Sequence, residues 1–209
     1  MSETTNYIYV SGEAATLPEY SHSMYGENFF SFFLSVRRLS GTEDMVPVLI
    51  SERIIPPSID TPGAHFSIIG QIRSYNKKTP GGSKLVISVF AKEIIRDADS
   101  DRDADCNECE LTGFVCKPVI YRTTPFSREI SDVLLAVNRN YGKSDYLPCI
   151  AWGKNARKLS MLSVGDEIYL EGRLQSREYV KTLPSGSSEN RIAYEVSCST
   201  VDYAKEYNP

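Results

Sequence analysis

The sequence has few features that would place the chain in a membrane or cross-link it. It has no run of about 18 apolar residues, and its start, MSETTNYIYV, lacks a basic segment followed by a long apolar run. Neither a membrane span nor a signal peptide is therefore predicted. The five cysteines are an odd number and lack the spacing of a disulfide framework, so we expect reduced thiols and a cytoplasmic location.

Residues that could support metal or acid-base chemistry are scattered along the sequence or lie in an acidic stretch. Cys106 and Cys109 form a lone CxxC with Cys116 nearby, but no second pair follows, and His22 and His65 are distant. The alternative to a zinc site is that the cysteines at 109, 149 and 198 are small buried strand residues. No Gly-rich phosphate loop or Ser/His/Asp arrangement occurs. We predict no metal, no cofactor and no enzymatic activity.

Positive charge is not in excess, since the formal net charge is −4 and the pI about 5.3. Residues 1–96 carry nine basic and nine acidic side chains, and residues 107–209 carry thirteen of each. The whole acidic excess lies in residues 97–106, DADSDRDADC, with five Asp and one Arg. Residues 117–181 carry eleven Lys or Arg against seven Asp or Glu, so this region can present a locally positive surface.

The segments on either side of this acidic stretch repeat each other. Asn6 and Gly12 in NYIYVSG recur as Asn107 and Gly113 in NECELTG, 101 positions later. At the same offset the Val, Arg, Gly, Asp and Pro of VRRLSGTEDMVP recur in VNRNYGKSDYLP, and at an offset of 102 GQIRS matches GRLQS. These matches indicate a duplicated domain. We predict domains at residues 1–96 and 107–203, an acidic linker at 97–106 and a short tail at 204–209.

Each half reads as short strands between turn residues. In the second half we predict strands at residues 107–116, 130–139, 145–152, 166–179 and 191–201. Ala156, Leu159 and Leu162 form one apolar stripe, which predicts a helix at 155–162. Five strands with a helix between the third and fourth is the order of the OB-fold. The predicted fold class is all-β, with two tandem OB-fold barrels, the second with a short helix between strands 3 and 4.

The first half lacks the helix signal. Pro56, Pro57 and Pro62 occupy the equivalent segment and disfavour a helix. An irregular loop is predicted there.

Alternation in the second half separates a core face from a polar face. On the fourth strand Ile168, Leu170, Gly172 and Leu174 share the core face, and the opposite face carries Tyr169, Glu171, Arg173, Gln175, Arg177 and Tyr179. On the third strand Tyr146 and Trp152 share one face about 20 Å apart, at about 3.3 Å per residue.

Rings and cations on one face suit an unpaired nucleic-acid strand. Flat rings stack on bases and cations hold phosphates, which predicts salt-sensitive binding with little sequence preference. The alternative is that the rings pack into the core and that Glu171 and Glu178 neutralise the arginines of the same strand.

Several motifs of the second half together resemble the OB domain of the bacterial single-stranded DNA-binding protein family. They are NxxxLTG (107–113), TTPF (123–126), LLAVNRNYG (134–142), SDYLPCIAWGKNA (144–156), GDEIYLEGRLQSREY (165–179) and YEVS (194–197). The resemblance implies non-enzymatic binding of single-stranded DNA in replication, recombination or repair. It places the base-stacking rings at Tyr141, Tyr146, Trp152 and Tyr179, and the backbone-contacting cations at Arg122, Arg139, Lys154, Arg173 and Arg177.

The resemblance also implies an assembly and a location. Family members usually assemble four OB domains, so a chain with two is expected to form a homodimer. The expected location is the cytoplasm, in association with the nucleoid. The loop at 181–190 resembles the family's mobile hairpin.

Two departures qualify these expectations. By the repeat offset Met45 and Ser51 stand where the second half has Tyr146 and Trp152, so the first domain has a reduced platform and is expected to be mainly a scaffold. Its remaining candidates for contacting a strand are Arg37, Arg38, Arg73, Tyr75, Lys77 and Lys78. The sequence ends at DYAKEYNP without the family's acidic, Phe-ended tip, so the resemblance leaves open whether repair and replication enzymes are recruited.

A second function therefore stays open. It is a double OB-fold scaffold, or interaction module, of a primosome-like, phage or mobile-element assembly in which DNA contact is secondary.

Overall fold

The structure is a computed structural model that describes residues 5–61, 63–79, 82–97, 105–182 and 186–203, with residue 141 described by its backbone alone. Each half forms a small β-barrel. The first consists of β1 (Asn6–Ala14), β2 (Glu19–Met24), β3 (Glu27–Arg37), β4 (Glu43–Ser51), a 3₁₀ turn (Pro57–Asp60), β5 (His65–Thr79) and β6 (Gly82–Arg96).

The second barrel repeats the strand order of the first barrel. It has a helix where the first barrel has its 3₁₀ turn, and a further 3₁₀ turn between its third and fourth strands. It consists of β7 (Asn107–Val115), β8 (Ile120–Thr123), β9 (Glu129–Asn138), a 3₁₀ turn (Asn140–Gly142), β10 (Ser144–Trp152), α1 (Lys154–Ser160), β11 (Glu167–Thr182) and β12 (Ser188–Tyr203). The five predicted strands correspond to β7, β9, β10, β11 and β12, and the predicted helix to α1. In the described residues no helix is long and apolar enough to cross a membrane.

Two elements differ from the sequence-based expectations. The strand β8 was not predicted, because its four residues are all exposed and show no apolar alternation. The loop predicted from the prolines of the first half contains a four-residue 3₁₀ turn, which Pro57 begins. Proline is tolerated at the first position of a helical turn, since its missing N–H has no partner there anyway.

Each barrel closes through one short parallel pairing. The strand β4 pairs with β6 at Val48 and Val89, and β10 pairs with β12 at Cys149 and Val196. The pairings of β1 with β3 and of β7 with β9 complete the circuits. Core residues line both barrels, among them Ile8, Phe66, Ile68, Leu111, Leu135, Leu147 and Leu170, all fully buried.

The two barrels join edge to edge. The strands β1 and β7 pair antiparallel, with Ile8 opposite Cys109, Asn6 opposite Leu111 and Val10 opposite Asn107. Because Ile8 and Cys109 are equivalent at the repeat offset of 101, this register relates the two domains by a local two-fold axis.

The repeated glycines lie where two backbones approach closely. A Cβ on Gly12 would lie 2.2 Å from the carbonyl oxygen of Ser35, and on Gly113 it would lie 2.6 Å from that of Ala136. Gly70 and Gly172 show the same crowding, at 2.3 and 2.4 Å from the nearest carbonyl oxygen. Steric exclusion of any side chain therefore explains why all four positions hold glycine.

The repeated asparagines fasten neighbouring strands. Asn6 donates to the carbonyl of Ile72 at 2.7 Å and accepts from its N–H at 2.8 Å. Asn107 makes the same pair of bonds with Leu174, at 2.8 and 3.0 Å. The sequence repeat thus preserves contacts that shape each barrel.

Candidate nucleic-acid interface

The outer surface of the second barrel is continuous across five strands. A register row joins Arg173 on β11, Ser197 on β12, Ile150 on β10, Asp132 on β9 and Ile120 on β8. Directly paired residues project to the same side of a sheet, so the arginine of β11 belongs to the same surface as the short β8.

Trp152 lies one row away on this surface. It is opposite Ile130, which is in turn opposite Arg122, so an indole and a guanidinium flank one buried isoleucine. Tyr146 lies on the same side of β10, six residues before the tryptophan. Trp152 is 44% and Tyr146 45% exposed, so both rings are open to a ligand.

We call the surface formed by seven of the predicted residues the strip. Its members are Arg122, Tyr146, Trp152, Lys154, Arg173, Arg177 and Tyr179. All except Tyr179, which is half-buried, are exposed.

Tyr179 lies on an arm that projects from the barrel. The strand β11 pairs with β7 only as far as Gly172, and from Arg173 onward its pairing partner is β12, up to Thr182 opposite Ser188. Much of the loop predicted at 181–190 is therefore paired strand, and residues 183–185 lie outside the described part of the chain.

Guanidinium groups flank the ring of Tyr179. The guanidinium carbon of Arg177 lies 5.8 Å from the ring centroid, and Arg191 is directly opposite on β12. Arg191 and Glu189 pair at 2.8 Å, and this hydrogen bond raises the pKa of Arg191 and lowers that of Glu189. The arm therefore presents a half-buried ring between two cations, which suits a base and its phosphate.

The other cations of the strip are weakly engaged. Lys154 and Arg173 form no ion pair within the described residues, Arg177 is 3.5 Å from Glu195, and Arg122 is 3.1 Å from Asp132. The pair of Arg122 and Asp132 is exposed on both sides and contributes little free energy, so a phosphate can replace the carboxylate there. Glu195 is buried, but its distance from Arg177 is long for an ion pair and Arg177 itself is exposed.

Arg139 differs from the other predicted cations. Its Nε donates to Asp145 at 2.6 Å and its Nη2 donates to the carbonyl of Ser74 at 2.9 Å, while Asp145 is fully buried. The Nε and Nη2 of Arg139 are thus engaged by the other domain and by a buried carboxylate. The structure therefore gives Arg139 a role in the junction between the domains, and its predicted contact with nucleic acid stays a prediction.

Tyr141 lies in the 3₁₀ turn Asn140–Gly142, and its side chain is outside the described part of the structure. Its predicted stacking role stays a prediction.

The two cysteines of the CxxC differ in burial. Cys109 is buried in the barrel, whereas Cys106 is half-buried before β7. Among the described residues, no group of three or more His, Cys, Asp or Glu side chains could hold a metal ion.

Among the described residues of the first domain, three positions differ from their counterparts in the strip or are engaged elsewhere. Ser51, which stands where the second domain has Trp152, is 8% exposed and donates to Glu27. Arg38 is bonded to the buried Asp44 at 2.6 Å through both Nε and Nη2, and Arg73 is bonded to Asp145 at 3.0 Å. Arg37, Tyr75, Lys77 and Lys78 are exposed, so these candidates of the first domain and its reduced platform stay predictions.

A groove nevertheless crosses the outer face of the first domain, and it was not predicted. It has a volume of about 1250 Å³ and reaches the domain junction, and its lining includes Phe29, Phe33, Tyr75, Phe90, Lys92 and Asn138. Alternation in NFFSFFL places Phe29 and Phe33 opposite Phe32 and Leu34, so the signal was present in the sequence.

The second domain is similar to a family of known proteins. Residues 106–203 match the family model described as "Single-strand binding protein family". The match covers 98 of the 209 residues, the whole of the second domain. Among curated single-strand binding proteins, Single-stranded DNA-binding protein 1 of Staphylococcus aureus is 31% identical over 111 residues, covering 49% of this chain and 63% of the relative.

A second member of the family matches a shorter segment. Single-stranded DNA-binding protein 1 of Streptococcus pyogenes is 35% identical over 80 residues, which cover 35% of this chain and 62% of that protein. The chain thus spans somewhat less than two thirds of the length of these relatives.

A solved structure covers both domains. The wild-type single-stranded DNA binding protein from Thermus aquaticus superposes with a TM-score of 0.75 at 20% identity, covering 98% of this chain and 94% of that one. At this identity the likeness concerns the fold. Together with the family match, it confirms the prediction of two tandem OB-fold barrels.

Proposed function

We propose that the second domain binds single-stranded DNA, with little sequence preference and without catalysing a reaction. The observation that carries the proposal is the exposed Trp152, which shares one outer surface with Arg122 and Arg173. An open ring beside cations that are weakly paired or unpaired supplies stacking to the bases and charge to the phosphates. The matched relatives are named for the same ligand.

The strip accounts for low sequence preference. Every base has a face that can stack, whereas reading a sequence requires hydrogen bonds to base edges. Tyr146 and Trp152 are about 20 Å apart at about 3.3 Å per residue, so one strand can engage both rings through several nucleotides. Tyr179 on the arm would contact the same strand, and Tyr141 remains a further candidate.

The test is a titration of a fluorescein-labelled thymidine oligomer, followed by anisotropy. We expect binding that weakens as salt rises and that is far weaker for a duplex of equal length, which offers no unstacked bases. Trp152→Ala should weaken binding by about 1 to 3 kcal/mol.

Tyr203→Ala is the matched control for this titration. Tyr203 has a similar exposure, 37%, but lies at the end of β12 beside Lys158, outside the strip. Equal affinity of wild type and Trp152→Ala for the oligomer would contradict the proposal, and so would equal binding of the duplex.

The wider roles are also proposals. We infer that the protein acts in replication, recombination or repair, in the cytoplasm with the nucleoid, and as a homodimer that provides four OB domains. The edge-to-edge joining of two barrels in one chain supports this stoichiometry, since it already supplies half of such a set. Light scattering coupled to size exclusion would give the mass, for which a monomeric value of 23.4 kDa would contradict the dimer.

The interaction module remains the alternative function, and no comparison favours it. Its natural site is the groove of the first domain. Normal oligomer binding by variants of Trp152 and Tyr146, or no binding at low salt, would move the conclusion towards this alternative.

A further inference from the structure

Two equivalent junctions connect the domains, and each is built on a buried aspartate. Asp44 and Asp145 are both fully buried. Asp44 accepts from Arg38 of its own domain and from the backbone N–H of Ser176 in the other domain, at 2.9 Å. Asp145 accepts from Arg139 of its own domain and from the N–H of Ser74 in the other domain, at 2.5 Å.

The two junctions differ in what the serine hydroxyl does. The hydroxyl of Ser176 donates to Asp44 at 3.2 Å. The hydroxyl of Ser74 instead accepts from the backbone N–H of Tyr146, at 2.7 Å. Ser74 of the first domain thus bonds to the backbone of Tyr146, whose ring belongs to the strip. At the other junction the position equivalent to Tyr146 is Met45.

This bond fills a gap in the second barrel. The strand β10 pairs with β9 along its whole length, but with β12 only at Cys149 and Ile150. The start of β10 therefore has a free edge on the side away from β9, and the hydroxyl of Ser74 supplies an acceptor there. Ser74 is 6% exposed, so little water competes for the bond.

A second arginine strengthens the junction at Asp145. Arg73 of the first domain donates to Asp145 at 3.0 Å, whereas its counterpart Gln175 donates to Glu195 at 3.0 Å, away from the junction at Asp44. The anchor that holds Ser74 against Tyr146 is therefore shared by two guanidinium groups.

We propose that Ser74, in the first domain, is a positioning residue for the stacking ring of Tyr146, with Asp145 as its anchor. The first domain then sets the affinity of the second for single-stranded DNA without touching the strand at this point. The inference rests on the proposed function.

The experiment compares Ser74→Ala with Ser176→Ala in the full-length chain, by titrating a thymidine oligomer at low salt. Loss of a buried hydrogen bond corresponds to about a three- to tenfold weakening for Ser74→Ala. Ser176→Ala, which removes the equivalent hydroxyl from the junction at Asp44, should change the affinity less than about twofold.

A double-mutant cycle separates positioning from general damage. When Tyr146→Ala is already present, Ser74→Ala should have no further effect, because the ring that it positions is gone. Ser74→Thr retains the hydroxyl and should bind more tightly than Ser74→Val, which has the same shape without it. If Ser74→Ala fails to fold, the difference in oligomer affinity between Ser74→Thr and Ser74→Val tests the role of the hydroxyl instead.

An equal loss in both backgrounds, or equal effects of Ser74→Ala and Ser176→Ala, would overturn the inference while leaving DNA binding intact. Absence of binding by the wild-type protein would overturn the proposed function and the inference together.

Discussion

At the scale of single residues, exposure and pairing decide which of the predicted cations are free to contact a phosphate. Arg173 is exposed and forms no ion pair within the described residues, whereas Arg139 is committed to a buried aspartate. Both are arginines of the same domain, Arg173 on β11 and Arg139 directly after β9, and the sequence motif alone treats them alike. Their partners separate a candidate phosphate contact from a structural one.

Arg173→Gln should lower the salt dependence of binding. Losing one phosphate contact reduces the slope of log affinity against log salt by about 0.7 for a single strand. Arg157→Gln is the control, because Arg157 is also exposed but lies on α1 outside the strip. A slope that falls as much for Arg157→Gln as for Arg173→Gln would refute the assignment.

The buried thiol of Cys149 should make the stability of the fold depend on pH. A hydrogen bond with Cys198 and burial raise the pKa of Cys149 well above its ordinary value. The unfolded chain therefore loses this proton at about pH 8.5 while the folded chain retains it, so stability is present below that pH and falls as pH rises. The expected loss from this one group is about 2 kcal/mol between pH 8 and pH 10.

Urea unfolding of wild type and Cys149→Ala at these two pH values measures that loss, which should be smaller in the variant. Val196 is a buried neighbour without a titratable group. Relative to wild type, Val196→Ala should therefore lower the free energy of unfolding by the same amount at both pH values. A pH dependence unchanged by Cys149→Ala would contradict the assignment.

At the scale of elements, close backbone approaches fix the barrel. Gly172 lies on β11, where a Cβ would meet the carbonyl oxygen of Ser197 at 2.4 Å. Backbone on one side and the buried strand on the other leave no room for the methyl group to move.

Gly172→Ala should therefore destabilise the fold by about 2 to 3 kcal/mol, through overpacking. Gly165→Ala is the comparison, since Gly165 has φ +99° but nothing within 4 Å of a Cβ, so that only backbone strain of about 1 kcal/mol applies. Urea unfolding gives both values. A loss for Gly172→Ala no larger than that for Gly165→Ala would refute the steric explanation.

Much of this element structure follows from sequence patterns. The strands β7 and β9 to β12 alternate, and α1 has its apolar stripe, so their existence was predictable with ends displaced by at most three residues. The short β8 was not, because all four of its residues are exposed. Tyr169 also departs from the predicted alternation: it is 5% exposed because it lies between β7 and β12 on the inner part of the sheet.

The site was predictable only in part. Rings on alternating positions of β10 indicate the strip, but the junction depends on contacts between residues about 70 positions apart, such as Ser74 and Asp145. The recurrence of an Arg and an Asp six residues apart in both halves was visible in the sequence. Its meaning, an ion pair at a domain boundary, required the relative placement of the barrels.

At the scale of the whole molecule, the two domains share one twelve-stranded sheet through β1 and β7. Buried aspartates bonded across both junctions add to this pairing, so unfolding one domain leaves buried charge of the other without its partners. The domains are therefore expected to unfold together.

Unfolding in urea should give coincident transitions for Trp152 emission, which reports only the second domain, and for circular dichroism, which reports both. Asp44→Ala, in the first domain, should move both curves to lower urea by the same amount. The expected loss is about 3 to 5 kcal/mol. Separated transitions, or an unmoved Trp152 curve, would contradict cooperative unfolding.

The most direct test of DNA binding uses the tryptophan itself. Trp152 is the single tryptophan of the chain, so its emission reports on the strip without a label. Adding a thymidine oligomer at low salt should quench this emission, and raising the salt should restore it, because bases stack on the indole and phosphates bind the nearby cations. Unchanged emission with the oligomer demonstrably bound would show that the strand lies elsewhere and would contradict the account.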